Sequence, residues 1–223
     1  MKIAVMQPYL FPYLGYFQLM KAVELFVSYD DVQYIKGGFI NRNYLLINGR
    51  KKMFSFPLKK DSTYSNINER FFSDDFDYHA EKFLKTVYQE YHKAPFFAET
   101  FALITSVLNH KDRNVASFVT NSLISIAQHL SLNTSFCLSS RIPKNCHPGK
   151  KDRLLHIIKF FKSNHYINPI GGRELYDKSD FEKEGIILNF IRMNDVTYKQ
   201  FAHAFVPNLS IVDVLMFNSR DTI

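Results

Sequence analysis

The opening of the chain restricts it to few folds. Residues 2–7 form a short apolar run with β-branched members, the pattern of a buried strand. Pro8 and Pro12 interrupt that pattern, so residues 8–14 are a loop. Residues 15–24 then carry apolar side chains at helical spacing, at Tyr16, Leu19, Met20 and Val23. A second apolar run, 25–29, stops at Asp30-Asp31. Strand, loop, helix and strand in such quick succession make a βαβ unit, and a βαβ unit implies a parallel sheet.

The rest of the chain extends this frame. Residues 43–47 and 52–57 flank Asn48-Gly49, a pair suited to the two positive-φ positions of a tight hairpin turn. Helices are expected at 77–91, 96–109 and 114–130, the last with Val115, Phe118, Val119 and Ser122 along one face. A strand at 134–138 leads into a polar loop, 139–149. The pattern then gives a helix at 151–162 with Leu154, Leu155, Ile158 and Phe161 inward, a strand at 166–168, a Gly171-Gly172 turn and a strand at 186–190. Ser210 and Asp213 stand in capping-box spacing with Leu209 as a hydrophobic staple, which starts a helix over 211–217. The expected class is α/β: a mainly parallel, Rossmann-like sheet opened by the N-terminal βαβ unit, with a β-hairpin and a helical middle. A single domain over 1–223 is the simplest organisation, with 74–132 as a helical sub-lobe.

Composition narrows the function classes. The 223 residues are 46% hydrophobic and 22% charged, an ordinary globular balance. The 22 Phe supply core, whereas the 13 Tyr can line a wet cleft, stack on a ligand and hydrogen-bond to it. The net charge of +7 favours anionic partners. Its Lys and Arg are scattered, densest at 49–52, 58–60 and 150–153, with no RNA-recognition signature, so a phosphorylated small molecule is expected over nucleic acid. Cys137 and Cys146 are too few for a disulfide framework, and neither has a neighbouring base to activate a thiol. The start lacks a signal-peptide pattern and no apolar run approaches the roughly 20 residues of a membrane span, so a cytoplasmic protein is expected. Gly-x-Ser-x-Gly, Walker and Gly-x-Gly-x-x-Gly patterns are missing, which argues against a standard hydrolase, P-loop enzyme or dinucleotide dehydrogenase.

Ligands of open parallel sheets sit beyond the carboxyl ends of the strands. That rule selects the loop after the first strand, with Gln7, Tyr9, Tyr13, Gly15 and Tyr16, and the loop after the second, with Asp30, Asp31, Gln33 and Tyr34. The helix starting near Gly15 offers free N–H groups to a phosphate or carboxylate. Asp30 or Asp31 is the candidate base for an amine, or a water-mediated Mg²⁺ partner, although Asp also favours strand-end turns. In Asn41-Arg42-Asn43 the guanidinium of Arg42 suits an oxyanion. Lys151 and Arg153 open a helix, where cations oppose the dipole, and an anionic ligand would account for them. Gly171 and Gly172, beside Tyr166 and Tyr176, could let a ligand approach the backbone. The eight histidines show no metal-ligand spacing; His156 reads as a core histidine, and His147 is the one near the basic cluster.

Several motifs resemble the WbqC-like family. They are Met6-Gln7-Pro8-Tyr9-Leu10-Phe11-Pro12-Tyr13-Leu14-Gly15-Tyr16, Tyr29-Asp30-Asp31-Val32-Gln33-Tyr34, Asn41-Arg42-Asn43, Lys151-Asp152-Arg153-Leu154, Tyr166 with Gly171-Gly172, and Tyr198-Lys199-Gln200. Pro207-Asn208-Leu209-Ser210-Ile211-Val212-Asp213-Val214-Leu215 completes the set. The resemblance implies a bacterial protein of O-antigen, capsule or related polysaccharide biosynthesis, transferring glycine or another acyl group to a nucleotide-linked amino sugar. An acyl-CoA or other acyl donor would then be the co-substrate. In topology the opening also resembles nucleotidylyltransferases and pantothenate synthetase, which would imply carboxylate activation by ATP with Mg²⁺. Their His-x-Gly-His is here Tyr13-Leu14-Gly15-Tyr16, and tyrosine cannot carry the positive charge that holds a triphosphate. A non-catalytic sugar-nucleotide binding protein is the third expectation.

Overall fold

A computed structural model describes residues 1–144, 149–194, 196–201 and 204–223, with Lys150 described by its backbone only. Cys146, His147 and His203 therefore lie outside the described residues. In chain order the elements are β1 (Lys2–Met6), α1 (Leu14–Lys21), β2 (Leu25–Ser28), β3 (Arg42–Ile47), β4 (Arg50–Ser55), α2 (Phe76–Tyr91), α3 (Phe97–Leu108) and α4 (Val115–His129). They continue as β5 (Ser135–Leu138), α5 (Lys150–Phe160), β6 (His165–Pro169), α6 (Lys178–Glu182), β7 (Ile187–Ile191) and α7 (Ile211–Phe217). None of the described helices is long and apolar enough to cross a membrane.

The fold is α/β, and the chain forms two compact units. The sheet unit comprises Met1–Gln7, Gly15–Asp31 and Leu132–Asn194; the hairpin unit comprises Pro8–Leu14, Val32–Ser131 and Asp195–Ile223.

The sheet unit is built on five parallel strands in the order β5-β2-β1-β6-β7. Strands covered on both faces need apolar side chains at successive positions. Ile3, Val5, Leu25 and Val27 accordingly join Leu154, Ile157 and Ile158 of α5 and Phe181 of α6 in one core cluster. The alternate position, Phe26, has ring contacts with Tyr16 of α1 at 5.3 Å and Phe136 of β5 at 5.9 Å. The short helix α6 was not expected: five residues show no periodicity, and its cue is local, the Asp177 side chain accepting from Ser179 N at 2.9 Å.

The hairpin unit pairs β3 with β4 antiparallel, Ile47 opposite Arg50. Asn48 and Gly49 both sit at positive φ, 51° and 69°, as the Asn-Gly turn requires. The three predicted middle helices appear as α2, α3 and α4, and Asn114 caps α4 by accepting from Ser117 N at 3.2 Å. The phenylalanine surplus concentrates here. Phe76 lies 5.2 Å from Phe56, 5.0 Å from Phe72 and 5.1 Å from Phe118, and Phe83 lies 4.8 Å from Phe54. Helix α7 is buried from Ile211 through Met216. Its N-cap Ser210 accepts from Val212 N at 3.2 Å and donates to Phe11 O at 2.7 Å, but Asp213 does not complete the expected capping box.

Phe76 is 1% exposed and central to that cluster. Phe76→Ala is expected to cost about 3–5 kcal/mol by chemical denaturation. A cost below about 1 kcal/mol would place the packing centre elsewhere.

Candidate active site in the sheet unit

Sheet register decides what meets at the strand ends. Ser28, the last residue of β2, pairs with Leu138, the last of β5. The next residues of both strands therefore emerge side by side: Asp30 and Asp31 from one, Ser139 and Ser140 from the other. Asp30, 1% exposed, accepts from Ser139 Oγ at 2.9 Å, Ser140 N at 2.9 Å and Ser140 Oγ at 2.6 Å. Ser139 Oγ also accepts from Asp30 N at 3.1 Å and contacts Asp31 Oδ1. A hydroxyl carries one proton, so Ser139 serves one of the two carboxylates at a time.

The other oxygen of Asp31 receives Arg153 Nη2 at 2.8 Å, an ion pair in which the side chains are 3% and 11% exposed. Arg153 further donates to the carbonyls of Ser139 at 2.7 Å, Ile142 at 3.1 Å and Pro143 at 2.8 Å. Its cation at the start of α5 is thus compensated inside the unit. Lys151 is likewise paired, with Asp180 of α6 at 2.7 Å, which raises the pKa of the ammonium and lowers that of the carboxyl.

Tyr29 connects this cluster to the other half of the sheet. Burial pushes its phenol above the usual range, Asp31 and Tyr176 add to the rise, and Arg153 opposes it. Tyr176 is raised by burial as well. Both phenols stay protonated at neutral pH and can donate a hydrogen bond. Tyr176 packs edge-on against Tyr166 of β6 at 6.4 Å.

Strand order reverses at β1: the chain runs outward through β2 and β5 on one side, then returns to β6 and β7 on the other. The carboxyl end between β1 and β6 is therefore the topological switch point, where open α/β sheets bind ligands. Gln7 follows β1, while Gly171 and Gly172 lie in a 3-10 turn that follows β6. A Cβ on Gly172 would come within 2.1 Å of Asn168 Nδ2, so a side chain there requires the Asn168 amide to move; a Cβ on Gly171 would meet open space. Tyr16 is 2% exposed and donates to Gln7 O at 2.6 Å, fixing the end of β1. Gly15 opens the part of α1 that belongs to this unit.

The other predicted site residues belong to the hairpin unit. Tyr34 donates to Asn41 Oδ1 at 2.8 Å, and Asn41 donates to Phe56 O at 2.7 Å. Arg42 Nε donates to Gly38 O at 2.8 Å, and Gln33 donates to Thr63 O at 3.0 Å. Tyr9 packs 6.3 Å from Phe39, and its phenol is raised by burial and then by Tyr13. The sequence reading missed Tyr29, Ser139, Ser140 and Asn168. Tyr29 had a signal, as the neighbour of Asp30-Asp31 in a quoted motif; the serines had none before β5 was known to lie beside β2.

Asp213 was assigned to a helix cap and does something else. It is fully buried and accepts from Tyr91 Oη at 2.8 Å, Tyr198 Oη at 2.6 Å and Gln200 Nε2 at 2.7 Å. Burial raises its pKa against the three hydrogen bonds, which lower it.

A five-stranded parallel sheet with a switch point between β1 and β6, Gln7 on one side and a glycine turn on the other, defines a Rossmann-like α/β protein. The WbqC-like protein family model matches residues 7–223, so the chain belongs to that family. An uncharacterized protein of Mycobacterium tuberculosis is similar, 25% identical over 219 residues, covering 97% of this chain and 93% of that one. No solved structure matches the chain.

Arg153→Met is expected to cost about 3–5 kcal/mol, because it strands Asp31 and the carbonyls that Arg153 serves. Arg153→Met with Asp31→Leu should cost less than the sum of the single changes in a double-mutant cycle; additive costs would refute the coupling. For Asp213 the folded pKa lies above the unfolded one. Its contribution is complete below the unfolded pKa and is lost as pH rises through the folded pKa. Wild type should therefore gain stability relative to Asp213→Asn as pH falls from about 7 toward about 4 in parallel denaturation series. A difference that does not change over that range would contradict the shift.

Proposed function

We propose that the protein is a transferase that passes an acyl or aminoacyl group to the amine of a nucleotide-linked amino sugar, and that the sheet unit holds the sugar nucleotide. The observation that carries the reading is the switch point between β1 and β6, flanked by Gln7 and by the Gly171-Gly172 turn against Asn168. Backbone approach at such a turn suits a pyrophosphate. Tyr29 and Tyr176 are protonated phenols suited to sugar hydroxyls. Membership of the WbqC-like family supports the polysaccharide setting that the sequence motifs implied.

In the reaction the amine attacks the acyl carbon, the acyl carrier departs, and the amine proton passes to a carboxylate. Asp31 is assigned that proton, because Ser140 donates to both oxygens of Asp30 from its N–H and its hydroxyl, while the Ser139 hydroxyl is shared between the two carboxylates. Holding both substrates side by side would supply much of the rate, since orientation alone can be worth about 7–11 kcal/mol. Activation by ATP is the weaker reading: Tyr16, in place of a phosphate-binding histidine, is buried with its hydroxyl on Gln7 O.

The test is amide formation followed by mass spectrometry, with nucleotide-linked amino sugars and acyl-CoA or aminoacyl donors. A product carrying the acyl mass is expected, and Asp31→Asn should lower kcat by about 10²-fold or more with KM little changed, assayed well below the variant's melting midpoint. Gly172→Ala should weaken sugar-nucleotide binding by displacing Asn168, and Asn168→Ala in the same chain should relieve the clash. Neither binding nor turnover with any sugar nucleotide would sink the proposal.

A further inference from the structure

The hairpin unit carries a pocket of about 290 Å³, lined among the described residues by Lys93, Pro95, Lys199, Gln200, Phe201 and Phe217. Its apolar lining is Pro95 and the rings of Phe201 and Phe217. Phe201 and Phe217 meet edge-on at 4.8 Å, and Phe217 packs 6.1 Å from the buried Tyr91. Residues 199–201 supply half of the lining, and their position is held from inside. Gln200, 3% exposed, donates to Asp213 at 2.7 Å and to Val206 O at 3.2 Å, and accepts from Val206 N at 2.8 Å. That wall is fixed before any ligand arrives, which lowers the ordering cost of binding.

Both amide ends of Gln200 are engaged, so the pocket's chemistry falls to its aromatic faces and its two lysines. Among the described residues neither Lys93 nor Lys199 forms an ion pair. Cations beside an apolar, ring-lined cavity select a guest with a flat body and a negative end. We propose that this pocket is a second ligand site, for a small organic anion made of an aromatic or heteroaromatic ring bearing a phosphate or a carboxylate. The inference is independent of the function proposed above, because every lining residue belongs to the hairpin unit.

Calorimetry on the full chain tests it with AMP, 4-hydroxybenzoate, adenosine and inorganic phosphate. AMP, 4-hydroxybenzoate or both should bind, at least about tenfold more tightly than adenosine or phosphate; which one binds separates the phosphate from the carboxylate source. Lys93→Met and Lys199→Met should each raise Kd about tenfold, with unchanged melting midpoints because both side chains are exposed. Phe201→Ala should weaken binding as well, and Gly172→Ala should leave it unchanged. Four outcomes would overturn the proposal. They are no binding of either anion, adenosine matching AMP, wild-type binding by the double lysine variant, and loss of binding in Gly172→Ala alone.

Discussion

The guanidinium of Arg153 ties together the parts of the sheet unit that make its candidate site. Asp31 follows β2, Ser139 to Pro143 follow β5, and Arg153 itself stands in the first turn of α5; its contacts reach all of them. A buried guanidinium is costly to desolvate, and its planar fork offsets that cost only when several acceptors surround it. The register of β2 on β5 brings those acceptors together, since Ser28 opposite Leu138 sends both loops out at one level. The carboxylates are therefore positioned by strand pairing first and by the cation second. This arrangement also accounts for a basic residue at a helix start, where the dipole opposes it: the cation serves the turn after β5 and the end of β2 more than it serves its own helix.

The hairpin unit buries a carboxylate by other means. Asp213 has two phenols and an amide around it where Asp31 has a cation. Neutral donors compensate a negative charge less fully, so burial prevails and its proton affinity rises. The same network fixes Gln200, and through it a wall of the ring-lined pocket. Polar groups inside this unit thus hold in place a wall of a pocket that carries rings and lysines.

Local patterns were legible in the sequence wherever one element carried the information. The apolar runs of β1 and β2, the Asn48-Gly49 turn, the three middle helices and the span of α7 could all be read from periodicity and turn chemistry. What depends on two elements at once was not legible. Asp213 sits three residues after Ser210, as a capping-box partner does, yet Tyr91 and Tyr198 take its carboxylate. Nothing near Asp213 in sequence announces Tyr91. Ser139 and Ser140 read as ordinary loop polarity until β5 is placed beside β2. The Asp31–Arg153 pair shows the same limit from the other side: the sequence points to Asp31 as a base and to Arg153 as a ligand contact, because the distance along the chain hides that each is the other's partner.

Charge balance in the sheet unit bears on what its strand ends can recognise. Asp31 faces Arg153 and Lys151 faces Asp180, so these charges are compensated within the unit. Neutral groups remain beside the switch point, namely the amides of Gln7 and Asn168, the phenols of Tyr29 and Tyr176, and the backbone of Gly171 and Gly172, with Arg173 directly after that turn. Such a set discriminates by hydrogen-bond geometry more than by net charge, because a group built to pair with a hydroxyl rejects an analogue that leaves it unpaired. A sugar is dense in hydroxyls, and a pyrophosphate can be taken by backbone N–H groups without a free cation. Under the proposed function, the positive balance of the whole chain would act at longer range on an anionic substrate, and the hydrogen-bonding groups at the strand ends would discriminate among such substrates.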